Sequence, residues 1–390
     1  MSKRIEWLDG VKGLACVGVV LHHFLLAFLP ATYYGDISFS KFSNGFDVKM
    51  AQSPVAFFIN GNYMVALFCL ISALVLSLKV MGLQNKEEIC NIFIKRYPRL
   101  MLPIAPVVLL VYLMLRFDWF CHLEIVPLTQ SPWLGSYYLE KVGFGRCIES
   151  LFVTTWYAND STFSNAFWML GQLLFGSYLA IVLSTFAWRA NRKALGIIYL
   201  FCAVLYVRVN TLHLAFVLGV LLAYCFREWK GMFGHTWIGV LCLVIGIFLG
   251  GYPSGVQPVN VYRFLNGLPD IILSYQFWHI IGAFFTVYGI WNLSVCQKVL
   301  KCNVFQFLGR ISYAVYIIHI PLIFSASCYI FGKFAAAGSG YLYSVIGTFV
   351  LSMVIILWAA YFYNRYVETA CEKILNIAIK KVFLVKKDNL

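Results

Sequence analysis

The chain has 390 residues, of which 61% are hydrophobic and 12% charged, and its formal net charge is +14. This composition excludes an ordinary soluble domain, and the apolar runs are far longer than core strands. An outer-membrane barrel is also excluded, since its strands would read as short alternating segments. What remains is an all-α, polytopic bundle of transmembrane helices.

In chain order the apolar runs predict about ten spans, at 13–30, 55–78, 98–116, 166–187, 194–209, 211–227, 236–252, 268–290, 311–331 and 342–366. The two runs beside Asn210 read equally as a tight hairpin. The reading is one integral-membrane domain over 1–390, with no long linker and no soluble catalytic domain at either end. The first run lacks a small-residue cleavage site and is expected to be retained. With both termini cytoplasmic, most basic residues fall on the inner side, among them Lys3, Arg4, Lys79, Arg189, Arg192, Lys230, Lys298, Lys386 and Lys387. That is the positive-inside pattern, so the charge calls for no nucleic-acid partner.

The first run opens with Asp9, Lys12, His22 and His23. Asp9 is expected to be the N-cap of the helix. Lys12 then lies in the first turn, where the helix dipole disfavours a cation, so it either snorkels to water or meets an anion. Eleven residues separate Lys12 from His23, three turns plus about 20°, which puts both on one face roughly 16 Å apart. A deep histidine on that face suits proton transfer. His22 points about 100° away and is expected to pack or to support its neighbour.

The run Lys95-Arg96-Tyr97-Pro98-Arg99 lies at the cytoplasmic start of the third predicted span. Pro98 suits a first helical turn, so Arg96 and Arg99 are expected to flank a helix N-terminus, a natural phosphate site. Ordinary inner-side flanking is the alternative. The outer segment 117–165 carries Trp119, Trp133, Tyr137, Tyr138, Trp156 and Tyr157, which read either as an interfacial belt or as stacking platforms for sugar rings. Cys121 and Cys147 share that segment and could pair in an oxidising compartment. Asn159-Asp160-Ser161 is a glycosylation sequon on the same side. The twelve cysteines form no C-x-x-C pair, so no metal site is expected.

Two late segments remain. His279 is a buried candidate in the eighth predicted span. In Leu308–Pro321, Ser312, Tyr316 and His319 follow at spacings of four and three and share a face, which in a membrane should line a cavity; the alternative for His319 is a simple bridge across the bundle. There is no G-x-S-x-G elbow, no H-x-x-x-x-D box (position 28 is Phe28), no Walker loop and no dinucleotide fingerprint.

Together these segments resemble the acyltransferase-3 family of polytopic membrane acyltransferases. The residues that carry the likeness are Leu8-Asp9-Gly10-Val11-Lys12-Gly13-Leu14-Ala15 followed by His22-His23, then Phe68–Ala73, Arg96-x-x-Arg99, Leu308–Pro321 and Tyr363-Asn364-Arg365-Tyr366-Val367-Glu368. Lys12 stands where Arg is commoner and Ala73 where Gly is common. Leu173, next to Gln172, takes the place of a Glu found in many members five residues after a tryptophan such as Trp168.

The resemblance implies transfer of an acyl group, usually acetyl, from cytoplasmic acyl-CoA to a hydroxyl of an envelope carbohydrate or its polyprenyl-linked precursor, at the plasma or inner membrane. Under it, Arg96, Arg99 and Lys12 hold the CoA phosphates. His23 is general base or transient acyl carrier, and Asp9 orients Lys12. Ser312, Tyr316 and His319 line the cavity and donate to the oxyanion. A transporter or flippase for a lipid-linked glycan is the alternative, using the same cavity without covalent chemistry.

Overall fold

A chain in hydrocarbon must satisfy its own backbone hydrogen bonds, so each apolar run closes into a helix. The computed structural model describes residues 5–83, 85–187, 191–229, 234–265 and 274–383, and these contain helices and turns but no strand. The long elements are α1 (Glu6–Phe28), α2 (Gly61–Met81), α3 (Lys86–Arg116), α4 (Trp168–Phe186), α5 (Arg192–Val209), α6 (Thr211–Glu228), α7 (Thr236–Gly250), α8 (Tyr275–Asn292), α9 (Ser294–Leu300), α10 (Asn303–Leu322), α11 (Cys328–Ala336), α12 (Tyr341–Phe362) and α13 (Thr369–Phe383). Residues 268–273, where the eighth predicted span begins, lie outside the described residues. So do Lys3, Arg4, Arg189, Lys230, Lys386 and Lys387.

The helix faces are sorted as a bilayer requires. Ile197, Leu200 and Phe201 on α5 and Trp358 on α12 point outward, each at least 66% exposed. Ser177, Ser184, His319 and Thr348 are fully buried. Large apolar side chains exposed along whole helices, with polar ones among the buried residues, are what a soluble domain avoids and a multi-pass membrane protein requires.

Among the described residues, seven helices are long and apolar enough to cross a membrane, or eight if α8 and α9, bent by 99°, form one span. The sequence predicted about ten. Two differences have plain causes. α7 has 15 residues, about 22 Å of helix, which is short of a 30 Å hydrocarbon core. α5 contains Arg192, Lys193 and Arg208, too many charges for an unassisted span.

α1 lies at the centre, packing most closely on α10 and then on α2. α2 in turn contacts α4, α6 and α8. Glycines bring α1 against α10. A Cβ built on Gly13 would sit 2.7 Å from the Gly309 nitrogen, and one on Gly309 would sit 2.2 Å from the Asp9 carbonyl oxygen. No side chain fits there, so these glycines fix the helix register. That register sets the site.

Candidate active site

The register of α1 and α10 brings two imidazoles together. His319 Nδ1 lies 2.8 Å from the Tyr316 carbonyl oxygen and 3.0 Å from that of Val315. Carbonyls only accept, so Nδ1 carries the proton and Nε2 has a lone pair. His23 Nδ1 lies 3.1 Å from His319 Nε2 and 3.0 Å from the Val19 carbonyl oxygen. Both partners are acceptors, so His23 Nδ1–H donates to them. His23 Nε2 is therefore the bare, basic nitrogen. His319 bridges α1 and α10, as the alternative reading of this residue had it.

His23 lines a cavity of about 220 Å³ whose walls include Tyr33, Tyr34, Trp133, Asn165, Trp168 and Tyr316. His22, expected to point elsewhere, lines it too. The His22 Nδ1–H donates to the Ile59 carbonyl at 3.0 Å, and Gly61 makes room for the ring: a Cβ there would meet it at 2.4 Å. Aromatic faces, two imidazoles and an Asn amide form a lining suited to a polyhydroxylated ring. Among the described residues, no group of three or more His, Cys, Asp or Glu side chains is placed to hold a metal ion.

The aromatic residues of 117–165 divide. Trp119 and Tyr157 are exposed, as a belt would be, whereas Trp133 and Trp156 are buried. Trp133 is carried inward because Ser131 Oγ donates to the Leu26 carbonyl at 2.6 Å, three residues past His23. Elsewhere in this segment Arg146 pairs with Glu149 at 2.8 Å and with Asp160 at 3.2 Å. Burial raises the Asp160 pKa, but the hydroxyls of Thr154 and Thr162 and the Thr162 N–H outweigh it and hold the carboxyl below its ordinary value. Cys121 and Cys147 are not joined; the Cys121 thiol donates instead to the Ser325 carbonyl at 3.2 Å.

A second cavity, of about 460 Å³, lies at the other end of the α1–α10 contact. Its walls carry Lys12, Lys79, Lys95, Arg96, Arg99 and Arg310. Arg96 Nη2 donates to Ser177 Oγ at 2.7 Å and to Ser72 Oγ at 3.5 Å, while its Nε has no partner. Neither Arg96 nor Arg99 forms an ion pair with a carboxylate among the described residues. Leu173 lines the same cavity, so no carboxylate faces Arg96 from the position where many acyltransferase-3 proteins have one. A half-buried guanidinium held only by neutral hydroxyls is a ready anion site.

Several expectations change in the structure. Asp9 is not the N-cap: Ile5 occupies that position, and Asp9 sits in the first turn with its Oδ1 3.2 Å from Lys12 Nζ. Arg96 and Arg99 do not flank a helix N-terminus. α3 starts ten residues before Arg96, capped by Asn85 Oδ1 accepting from the Glu87 N–H at 2.9 Å, and Pro98 lies within it. Their anion preference rests on charge rather than on a helix dipole. Ser312 lines the basic cavity and Tyr316 the aromatic one, but neither has a spare hydroxyl hydrogen. Ser312 donates to the Gly309 carbonyl at 2.9 Å and Tyr316 to that of Ala166. His279 lines neither cavity; its Nε2 is 2.8 Å from the Tyr252 carbonyl oxygen and fixes the turn after α7.

The two cavities share no lining residue. The division falls on one turn of α10, between Ser312 and Tyr316. Sequence reasoning missed Glu368, which lines the basic cavity from a widened turn over Tyr363–Glu368. One Glu368 oxygen accepts from Asn364 Nδ2 at 2.8 Å, and the other is buried without a partner. Its signal was present in Tyr363–Glu368, a segment otherwise used only as a family marker.

Comparison with known proteins gives a consistent picture. The acyltransferase-3 family model, described as an acyltransferase domain, matches residues 5–365. The chain is 26% identical over 144 residues to a protein named Acyltransferase R4 from Phoma sp., covering 34% of this chain and 30% of that one. It is 27% identical over 156 residues to Acyltransferase clz18 from Cochliobolus lunatus, covering 36% and 31%. The matched part is thus under a third of each relative's length. No solved structure matches the chain.

Proposed function

Because the chain belongs to the acyltransferase-3 family, we propose that it is a membrane O-acyltransferase. In this reading it moves an acyl group, acetyl in the simplest case, from acyl-CoA to a hydroxyl of an exported carbohydrate or its polyprenyl-linked precursor. One observation carries the reading: beside the α1–α10 contact, one cavity gathers Arg96 and Arg99 of α3 with Lys12 and Arg310, and a separate cavity holds the bare imidazole nitrogen of His23. Arg96, Arg99 and Lys12 hold the phosphates of CoA in the basic cavity, which faces the cytoplasm of a plasma or inner membrane. The acceptor ring sits in the aromatic cavity with its hydroxyl on His23 Nε2.

The pantetheine arm then passes the division at Tyr316, which parts when the Tyr316–Ala166 hydrogen bond opens. His23 removes the hydroxyl proton as the oxygen attacks the thioester carbonyl, and returns that proton to the departing thiolate. His319 keeps His23 in the productive tautomer. Asp9 holds Lys12.

The test supplies purified protein with radiolabelled acetyl-CoA and polysaccharide from cells lacking the protein. One free CoA for each labelled ester is the expected result. No CoA release, together with movement of a lipid-linked glycan across vesicles, overturns the reading in favour of a flippase.

A further inference from the structure

Acyl transfer builds negative charge on the thioester oxygen, and a site for this chemistry needs hydrogen-bond donors beside the base. The residues expected to supply them do not. Ser312 and Tyr316 spend their hydroxyl hydrogens on backbone carbonyls, and His319 spends its N–H on Val315 and Tyr316. Among the described residues lining the aromatic cavity, one buried side-chain donor has no partner. Trp133 lines it, is 6% exposed, and its indole Nε1–H is buried with no partner among the described residues. Buried N–H groups left unpaired are rare and call for an explanation.

Two further observations tie this group to His23. The Trp133 ring stacks on the His23 ring, with centroids 5.4 Å apart and planes 30° from parallel. Its backbone is anchored beside α1 by the Ser131 bond to the Leu26 carbonyl, and the Leu134 N–H donates to the same Ser131 hydroxyl at 3.2 Å. The indole is thus held by packing before any substrate arrives, as an electrostatic catalyst must be. Its π face also lies against the ring that becomes cationic.

We propose that the Trp133 indole N–H is the oxyanion donor of this active site, an assignment that rests on the reading of His23 as general base. The acceptor oxygen bonds to the thioester carbonyl carbon while its proton moves to His23 Nε2. The carbonyl π electrons move to oxygen, where the Trp133 N–H donates to the resulting oxyanion. Collapse re-forms the carbonyl and breaks the carbon–sulfur bond, and the thiolate takes the proton back from His23. The products are an ester and CoA thiol, with nothing oxidised or reduced.

The test is Trp133→Phe, which keeps an aromatic face and removes the N–H, assayed with acetyl-CoA and polysaccharide from cells lacking the protein. A fall in kcat of about 100-fold, with both KM values within about twofold of wild type, is expected. An unchanged kcat, or a loss confined to KM, overturns the assignment. If the Phe variant is poorly folded, benzothienylalanine at position 133, with sulfur in place of the N–H, decides between the same outcomes. His23→Ala in the same assay separates the two claims. An inactive His23→Ala beside a fully active Trp133→Phe removes only the Trp133 assignment, whereas an active His23→Ala removes the reading beneath it.

Discussion

His319 Nε2 accepts a hydrogen bond from His23 Nδ1 across 3.1 Å, joining α10 to α1 through a neutral pair of imidazoles. A carboxylate is the usual orienting partner of a catalytic histidine. Here the neighbour is a second histidine, fixed by two backbone carbonyls, which adds no charge that would be costly to bury. His319→Gln keeps an acceptor for His23 Nδ1–H and should retain a measurable fraction of kcat. His319→Leu leaves the Val19 carbonyl as the one acceptor holding the His23 Nδ1–H and should lower kcat more than His319→Gln does, with little change in KM. A steady-state comparison of the two variants, with pH–rate profiles, checks this; equal losses in both would deny the orienting role.

The basic cavity makes a separable prediction. Arg96→Ala or Arg99→Ala removes a charge-assisted contact worth about 1.5–3 kcal/mol, so the KM or Kd for acyl-CoA should rise about 10- to 100-fold while affinity for the acceptor holds. Arg96→Lys should recover part of the loss, because a lysine supplies charge without the planar fork. Calorimetric titration with CoA reads this directly.

The close approach of α1 and α10 should tolerate no added carbon. Gly13→Ala and Gly309→Ala each put a Cβ within 2.8 Å of backbone atoms of the other helix. Each should destabilise the protein by about 1–3 kcal/mol and misalign His23 with His319. Thermal unfolding in detergent measures the first effect, and residual turnover measures the second.

The outer segment should loosen in mild acid. His122 is 1% exposed, among Phe120, Tyr138 and Phe324, and burial lowers its pKa below the ordinary histidine value. A histidine with a lowered folded pKa gives its full stability above its unfolded pKa, and that stability is lost as pH falls below about 6.5. The Asp160 contribution has the opposite origin, a carboxylate held charged, and fades only below about pH 4. Amide protection factors over 117–165, taken relative to intrinsic exchange at each pH, should therefore fall between about pH 6.5 and 4 in the wild type, but not in His122→Phe. Identical pH dependence in the two proteins would contradict it.

Much of the site was legible because it rests on periodicity. The eleven-residue step from Lys12 to His23 and the Ser312–Tyr316–His319 stripe both depend only on helical pitch, and the structure puts each on an inward face. What escaped depends on where helices begin and on tertiary contacts. Lys86–Lys95 is too charged to look like a span, yet it extends α3 and puts the arginines within the helix rather than at its start. His22 lies 100° from His23 but still reaches the cavity, because Gly61 leaves room for its ring. Trp133 sits in a polar-flanked segment that periodicity cannot place; only the Ser131 bond to Leu26 brings it inside. The division of the site into two cavities between Ser312 and Tyr316 depends on side-chain packing that no sequence pattern encodes.

The central claim is that His23 performs proton transfer, and transfer of label from radiolabelled acetyl-CoA to polysaccharide by purified His23→Ala tests it most directly. Loss of transfer by at least about 1,000-fold, with CoA binding and protein level unchanged, is the predicted result. Transfer at a near-normal rate by a variant present at the wild-type level would contradict it.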